Sequence, residues 1–207
     1  MVGWLDGSQA ERRNYDMNLA ICLATIQPSH HPNTCFSFSS SYTYCMATIR
    51  YTITQSSLGK MLIAATESGI CAITLSDNPA LLKRDLRKRF PKAELINGEL
   101  QQEIKAITTY AERPTVTFDL PLDVRGTAFQ QSVWKALRKI PVGKTASYGD
   151  IAKKIGKPKA VRAVAQACGA NNIAVVIPCH RVVRTDGALS GYRWGVKRKA
   201  ELLRRER

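Results

Sequence analysis

The sequence predicts an α+β chain. A small N-terminal three-stranded antiparallel sheet with helices leads into a mostly helical C-terminal domain containing a helix-turn-helix. Three observations predict this. Short alternating apolar runs separated by tight turns fill residues 48–75. Helical spacing of apolar residues takes over after Gly126. Basic charge is concentrated late: residues 126–207 hold 18 basic and 4 acidic side chains, against 2 and 3 in residues 1–46 and 11 and 9 in residues 47–125. The 207-residue chain has a formal charge of +15. A basic domain of this kind points to a polyanion, most often nucleic acid. With 44% hydrophobic and 23% charged residues, the composition excludes a wholly disordered chain and supplies a core.

Residues 1–46 show no sustained period, and 27–44 are rich in Ser, Thr, Pro, Asn and His, so this part is expected to be a poorly structured leader. A structural domain is expected over 47–122. Residues 48–54, 60–66 and 70–75 read as a meander, with turns at Ser57-Leu58-Gly59 and Ser68-Gly69. Asp77-Asn78-Pro79 opens a helix through Phe90, with Leu81, Leu82, Leu86 and Phe90 on one face, and Pro91 stops it. A second helix is expected over 99–111 and a last strand over 115–119, after which Pro121 begins a linker. No catalytic constellation is evident here, which leaves structural support as its role.

The second domain is expected over 123–207. Residues 129–139 read as a helix burying Phe129, Val133, Trp134 and Leu137, followed by a break at 140–143. Ser147 can cap a helix over 148–155. Gly156-Lys157-Pro158 turns the chain into a further helix over 159–168, which would carry Lys159 and Arg162.

Several classes drop out. The apolar run from Leu19 to Ile26 is far shorter than the ~20 residues that span a bilayer, and it lacks a signal-peptide cleavage pattern. No membrane association is expected, and the location is cytoplasmic in a bacterium or wherever its DNA is. The six cysteines form no C-x-x-C, so neither a zinc ribbon nor a disulfide framework is indicated. His30 and His31 with Cys22, Cys35 and Cys45 match no standard metal spacing. No metal or other cofactor is expected.

The most informative segment runs from Asn171 to Val183. Its β-branched stretch, 173–177, reads as a buried strand ending at Pro178, and Cys179 follows with His180 and Arg181. A thiol beside a base and positive charge is a candidate nucleophile. From adjacency alone, an inert buried cysteine next to a surface histidine fits better.

Pro178-Cys179-His180-Arg181-Val182 resembles the active-site signature of the O6-alkylguanine-DNA alkyltransferases. The resemblance extends upstream to 125–130, Ser147-Tyr148 and 156–164, and downstream to Gly187, 189–192 and 199–203. Over 47–207 the chain looks most like the C-terminal alkyltransferase half of the bacterial Ada proteins. The resemblance implies single-turnover DNA repair, with the methyl group of O6-methylguanine, and of O4-methylthymine, passing to the protein's own cysteine. By position it makes Cys179 the acceptor, His180 the base acting through a water, and Glu206 the acid that orients it. Tyr148 matches the tyrosine that helps rotate the nucleotide and protonates the leaving guanine. Arg162 matches the finger that replaces the extruded base, and Asn171 the support of the active-site turn. Tyr192 and Lys199 match pocket residues, and the Val182 backbone matches a contact to the base's exocyclic amine. The implied partner is double-stranded DNA, bound by a monomer through the minor groove.

Lys153, Lys154, Lys157 and Lys159 would add phosphate contacts. Ala160, Ala163 and Ala167 fit close approach to the DNA backbone as well as ordinary helix packing. The zinc module and regulatory domain of Ada proteins are not recognisable in residues 1–46. Trp194, bulky and Ada-like, is expected to narrow the pocket against large alkyl or benzyl groups. Two alternatives are a non-enzymatic alkyl-lesion sensor, which the presence of Cys179 opposes, and a methylation-responsive DNA-binding regulator. A Cys–His hydrolase is more distant, since no oxyanion-hole motif is evident. Read without the resemblance, Glu206 in Arg204-Arg205-Glu206-Arg207 is simply a solvated charge.

Overall fold

A computed structural model describes residues 47–207. The expectations placed on residues 1–46, a leader and its His and Cys side chains, lie outside the described residues.

Strands β1 (Thr48–Ser56), β2 (Gly59–Thr66) and β3 (Gly69–Ser76) form the expected antiparallel meander. Helix α1 (Pro79–Arg89) follows, begun by the Asn78 side chain, which accepts from the Ala80 N–H at 2.9 Å, and by Pro79. A fourth strand, β4 (Glu94–Asn97), then pairs parallel with β1, giving the order β3-β2-β1-β4. Four residues with only one half-buried side chain give too weak a period to see in the sequence.

The period-2 pattern of β2 explains the layering. Leu62 and Ala64 face α1 with Ile49, Leu82 and Leu86. Met61, Ile63 and Ala65 face the opposite side, against helix α2 (Gln101–Glu112) and the C-terminal helices. Because β2 is covered on both faces, it is a continuous apolar run. Leu81, expected on the inner face of α1, is 42% exposed, since the axis that buries Leu82 and Leu86 turns it outward.

Residues 115–119 form no strand. The chain instead meets the sheet a little later: Ile70 N–H donates to Pro121 O and Asp123 N–H to Ile70 O, both at 2.9 Å. Phe118 packs edge-on to Tyr110, so its apolar character serves helix packing.

In the C-terminal part, α3 (Ala128–Leu137) starts with a Thr127–Gln130 capping box and α4 (Tyr148–Lys154) with a Ser147–Asp150 box. A turn leads to α5 (Val161–Gly169), and α6 (Val196–Arg205) ends the fold. Lys159, expected on the second helix of this pair, lies in the turn before α5, and Ala160 is its N-cap. Two-residue strands β5 (Ala146–Ser147) and β6 (Val182–Val183) pair in parallel. Among the described residues no helix is long and apolar enough to cross a membrane.

One hydrophobic cluster runs from β2 and β3 through α2 into α3, α4, α5 and α6. Three arginines of the C-terminal part also reach across. Arg193 meets Asp85 at 2.6 Å, Arg198 meets Asp77 at 2.5 Å and the Leu58 carbonyl at 2.6 Å, and Arg205 donates to Ser57 and the Ala111 carbonyl.

Gly69, with φ 130°, is where the linker touches the sheet, and a Cβ there would collide with the Pro121 carbonyl. Gly69→Ala is expected to cost about 1–3 kcal/mol. Urea unfolding should show a lower midpoint with an unchanged slope, and a wild-type midpoint would contradict this packing.

Candidate active site

The segment 173–177 is buried throughout but is a turn, not the expected strand. Only Ile173 bridges to the sheet, through Ile73, with Ile73 N–H donating to Asn172 O at 2.8 Å and Ala174 N–H to Ile73 O at 2.9 Å. The chain then folds back, Ile177 N–H reaching Ile173 O at 3.1 Å, and Val175 adopts φ 69°. That left-handed conformation is unfavourable for a β-branched residue. A β-branched apolar run meets the same burial in a strand and in this turn, so composition does not separate them.

Asn171 holds the turn together and is itself fully buried. Its Oδ1 accepts from Ile173 N–H at 2.9 Å. Its Nδ2 donates to Ile173 O at 3.3 Å, Ile177 O at 2.9 Å and the Cys179 sulfur at 3.2 Å. Past Pro178, a single 3-10 turn, Cys179–Arg181, carries the thiol, the imidazole and a guanidinium in succession, all buried.

Glu206 lies at the C-cap of α6, and its side chain is 2% exposed, not a solvated charge. Its Oε1 is 2.7 Å from His180 Nε2. Arg181 Nε donates to both carboxylate oxygens, at 3.1 and 3.0 Å, and Arg181 Nη1 donates to Ile140 O at 2.6 Å. The Gly143 N–H adds a bond to Glu206 Oε2 at 3.3 Å. Gly143 has φ 73°, and a Cβ there would lie 2.8 Å from the Glu206 carbonyl oxygen. The break at 140–143 therefore seats the end of α6.

With His180 Nε2 donating to a carboxylate, Nδ1 is the acceptor, and it is buried without a partner among the described residues. Burial holds the imidazole below its ordinary 6.5, outweighing the Glu206 hydrogen bond and charge that raise it. Burial alone would raise the Glu206 carboxyl, but hydrogen bonds and charge from His180 and Arg181 hold it below its ordinary 4.5.

The described cysteines differ. Burial pushes Cys71 and Cys168 up to about 12. Cys179 is pushed up to about 11, again by burial, while the Asn171 hydrogen bond and the charges of Lys199 and Arg193 pull it down. At neutral pH it is a thiol whose thiolate already has a donor in place.

The rest of the pocket closes over this turn. Lys199, fully buried on α6, donates from Nζ to Val182 O at 2.5 Å and Ser190 Oγ at 3.2 Å, so one lone pair of the Val182 carbonyl is already used. Tyr148, the first residue of α4, is 2.7 Å from Ser190 Oγ through its hydroxyl. Tyr192 and Trp194 meet edge-to-face with centroids 5.1 Å apart, and Tyr192 Oη and Trp194 Nε1 are buried without partners among the described residues. Arg162 is exposed near the start of α5. Ala160 and Ala163 are half-buried, whereas Ala167 belongs to the core, its carbonyl accepting from Trp134 Nε1 at 2.8 Å. Arg181 and Ser190 carry no assigned role in the sequence reading. The proximity of Arg181 to His180 along the chain was a signal for the first, and the second lies in the 189–192 stretch of the resemblance without a role being given to it. Among the described residues no three His, Cys, Asp or Glu side chains form a metal cluster.

A buried thiol thus precedes a carboxylate-held imidazole on one turn of a helical unit docked to a small sheet. The chain belongs to the 6-O-methylguanine DNA methyltransferase family: the family's ribonuclease-like domain matches residues 49–124 and its DNA-binding domain residues 128–207. It is 55% identical over 160 residues to the bifunctional transcriptional activator/DNA repair enzyme Ada of Escherichia coli, covering 76% of this chain and 45% of that protein. The chain thus spans just under half the length of that relative. It is 44% identical over 144 residues to an inducible methylated-DNA–protein-cysteine methyltransferase of Bacillus subtilis, covering 68% of this chain and 80% of that one. Among solved structures, Mycobacterium tuberculosis OGT in complex with DNA superposes with TM-score 0.63 at 36% identity, over 77% of this chain and 92% of that one.

The shifted His180 and Glu206 tie stability to pH. As pH falls, the unfolded chain takes up the imidazole proton near 6.5 before the folded chain does. Stability present above that pH is then lost, and the carboxyl adds a second loss below 4.5. His180→Gln should flatten the upper part of a melting-temperature-against-pH curve and shrink the lower part, where Arg181 still holds the carboxyl down. An unchanged slope between about pH 7 and 5 would contradict this.

Proposed function

We propose that this protein repairs DNA by taking the methyl group of O6-methylguanine, and of O4-methylthymine, onto Cys179, once per molecule. The observation that carries the reading is the buried bond from Glu206 to His180 Nε2, which leaves Nδ1 as an acceptor on the residue that follows a thiol already contacted by Asn171. Family membership supports it.

The residues present suit the chemistry. His180 Nδ1 accepts the thiol proton through one water, and Glu206 stabilises the imidazolium that results. Asn171 Nδ2 supports the thiolate as it forms. Sulfur attacks the methyl carbon in line, the S–C bond forms and the C–O bond breaks, and the electron pair leaves with guanine. Tyr148 donates a proton to the leaving base, which neutralises it. Lys199 fixes the Val182 carbonyl, which faces the exocyclic amine of the base, and Tyr192 packs along the base. The product is a thioether with no ready leaving group, so there is no turnover, and no external methyl donor is required.

A base stacked in a duplex is out of reach, so the nucleotide must be extruded. Exposed Arg162 at the start of α5 fills the gap, with α5 lying in the minor groove and Ala160 and Ala163 permitting close approach. Exposed Lys153, Lys154, Lys157 and Lys159 contact phosphates, which makes binding strongly salt-dependent. The protein acts as a monomer.

Intact mass after mixing with a duplex carrying one O6-methylguanine tests the reading. The expected result is one added methyl group on Cys179, absent in Cys179→Ala. Lesion-selective binding with no mass change would make the protein a sensor and remove the roles given to His180 and Glu206. A second measurement concerns pocket width. Trp194→Ala should react faster than wild type with O6-benzylguanine, and an equal rate would remove Trp194 from the specificity of the pocket.

A further inference from the structure

Ser190 is the middle member of a hydrogen-bonded chain whose two ends belong to the pocket. Its Oγ is 2.7 Å from the Tyr148 hydroxyl and 3.2 Å from Lys199 Nζ. Lys199 is fully buried and is also held by the Val182 carbonyl at 2.5 Å. No direct hydrogen bond joins Lys199 to Tyr148 among the described residues, so Ser190 is the link.

The direction of this chain follows from counting protons. An ammonium has donors and no acceptor, so Lys199 donates to Ser190. Ser190 then keeps one lone pair and its own proton. Among the described residues its only remaining partner is the Tyr148 oxygen. If Tyr148 donated to Ser190, the serine proton would have only solvent to turn to and the phenol proton would point away from any bound base. With Ser190 donating to Tyr148, the serine proton has a partner and the phenol proton is free to turn toward the base.

We propose that Ser190 is a positioning residue for methyl transfer: it relays the charge of Lys199 to the Tyr148 hydroxyl and orients that hydroxyl so its proton faces the departing guanine. The proposal rests on the methyl-transfer reading above. No proton leaves Lys199. The buried cation polarises the serine O–H, and the serine polarises the phenol, which strengthens it as a donor when negative charge develops on the base. Burial also raises the Tyr148 phenol above its ordinary 10, so it enters the reaction still carrying its proton.

The test is a double-mutant cycle between Ser190 and Tyr148, read as the single-turnover rate of methyl transfer from an O6-methylguanine duplex. Affinity for the same duplex and the melting temperature are measured alongside. Ser190→Ala is expected to slow transfer by about three- to tenfold, the size of one oriented hydrogen bond, with affinity unchanged. Ser190→Thr, which keeps the hydroxyl, should restore most of the rate. In a Tyr148→Phe background, Ser190→Ala should cause no further loss, because the serine acts only through the phenol. A wild-type rate for Ser190→Ala, a full additional loss in the Tyr148→Phe background, or failure of Thr to rescue would overturn the proposal while leaving methyl transfer intact. Absence of any methylated Cys179 in the wild-type protein would overturn both.

Discussion

A carboxylate taken out of water has to be matched by charge and hydrogen bonds, and much of this structure depends on how Glu206 is matched. Its oxygens receive His180, Arg181 and the Gly143 amide, which come from two separate stretches of chain. Deleting one partner of a buried ion pair typically costs about 3–5 kcal/mol, because the other charge is left stranded. The end of α6, the 3-10 turn and the 140–143 break are therefore fixed relative to one another. Cys179 opens that same turn, so its sulfur is located by a network it does not join. Arg181 also moderates the pair it holds. Burial, helped by the Arg181 charge, holds His180 below its ordinary pKa despite Glu206, and a permanently protonated imidazole would have no lone pair to offer.

The sheet has no chemistry of its own, yet it sets the other side of the site. The edge of β3 receives the 172–174 backbone, and arginines from the pocket loop and α6 anchor to α1, the β3–α1 turn, the β1–β2 turn and the end of α2. A strained turn such as that at Val175 persists only where its surroundings over-determine it. Here Asn171 clamps it from inside and Ile73 from outside.

Much of the architecture was legible because local physics and burial agreed there. Alternation marked β1 to β3, and the side chains of Asn78 and Ser147 marked helix starts that the structure contains. Legibility failed where one signal had two outcomes. The run at 173–177 is apolar and β-branched because it is buried, but its backbone bonds go to Asn171, to Ile73 at one point and to itself. Residues 115–119 lend Phe118 to a helix face, and the linker reaches β3 only at Pro121. The β4 segment is too short and too exposed to show a period. At the site, Cys179 and His180 stood out through the resemblance of 178–182 to a family signature, since their adjacency alone favoured an inert cysteine. Glu206 could not be picked out from its neighbours either, since an acid among arginines looks solvated until α6 is folded against the 3-10 turn. Ser190 was equally hidden, because its significance comes from two partners, 42 and 9 residues away, that only the fold brings together.

The arginine anchors change what the large formal charge means. Arg181 and Lys199 are buried, and Arg193, Arg198, Arg204 and Arg205 are each paired with Asp85, Asp77 or Glu201. Those acids offset part of the charge, although Arg204 stays largely exposed and a single Glu201 serves two arginines. Lys153, Lys154, Lys157, Lys159 and Arg162 lie on α4, α5 and the turn between them, all exposed, and Asp150 at the start of α4 is the acid nearest to them in the chain. The described surface therefore carries its cations in patches, on α4 and α5 and, with Lys83, Arg84, Arg87 and Lys88, on α1. In the field of a polyanion an uneven distribution produces a torque as well as an attraction, so such a body turns while it approaches, before any contact is made.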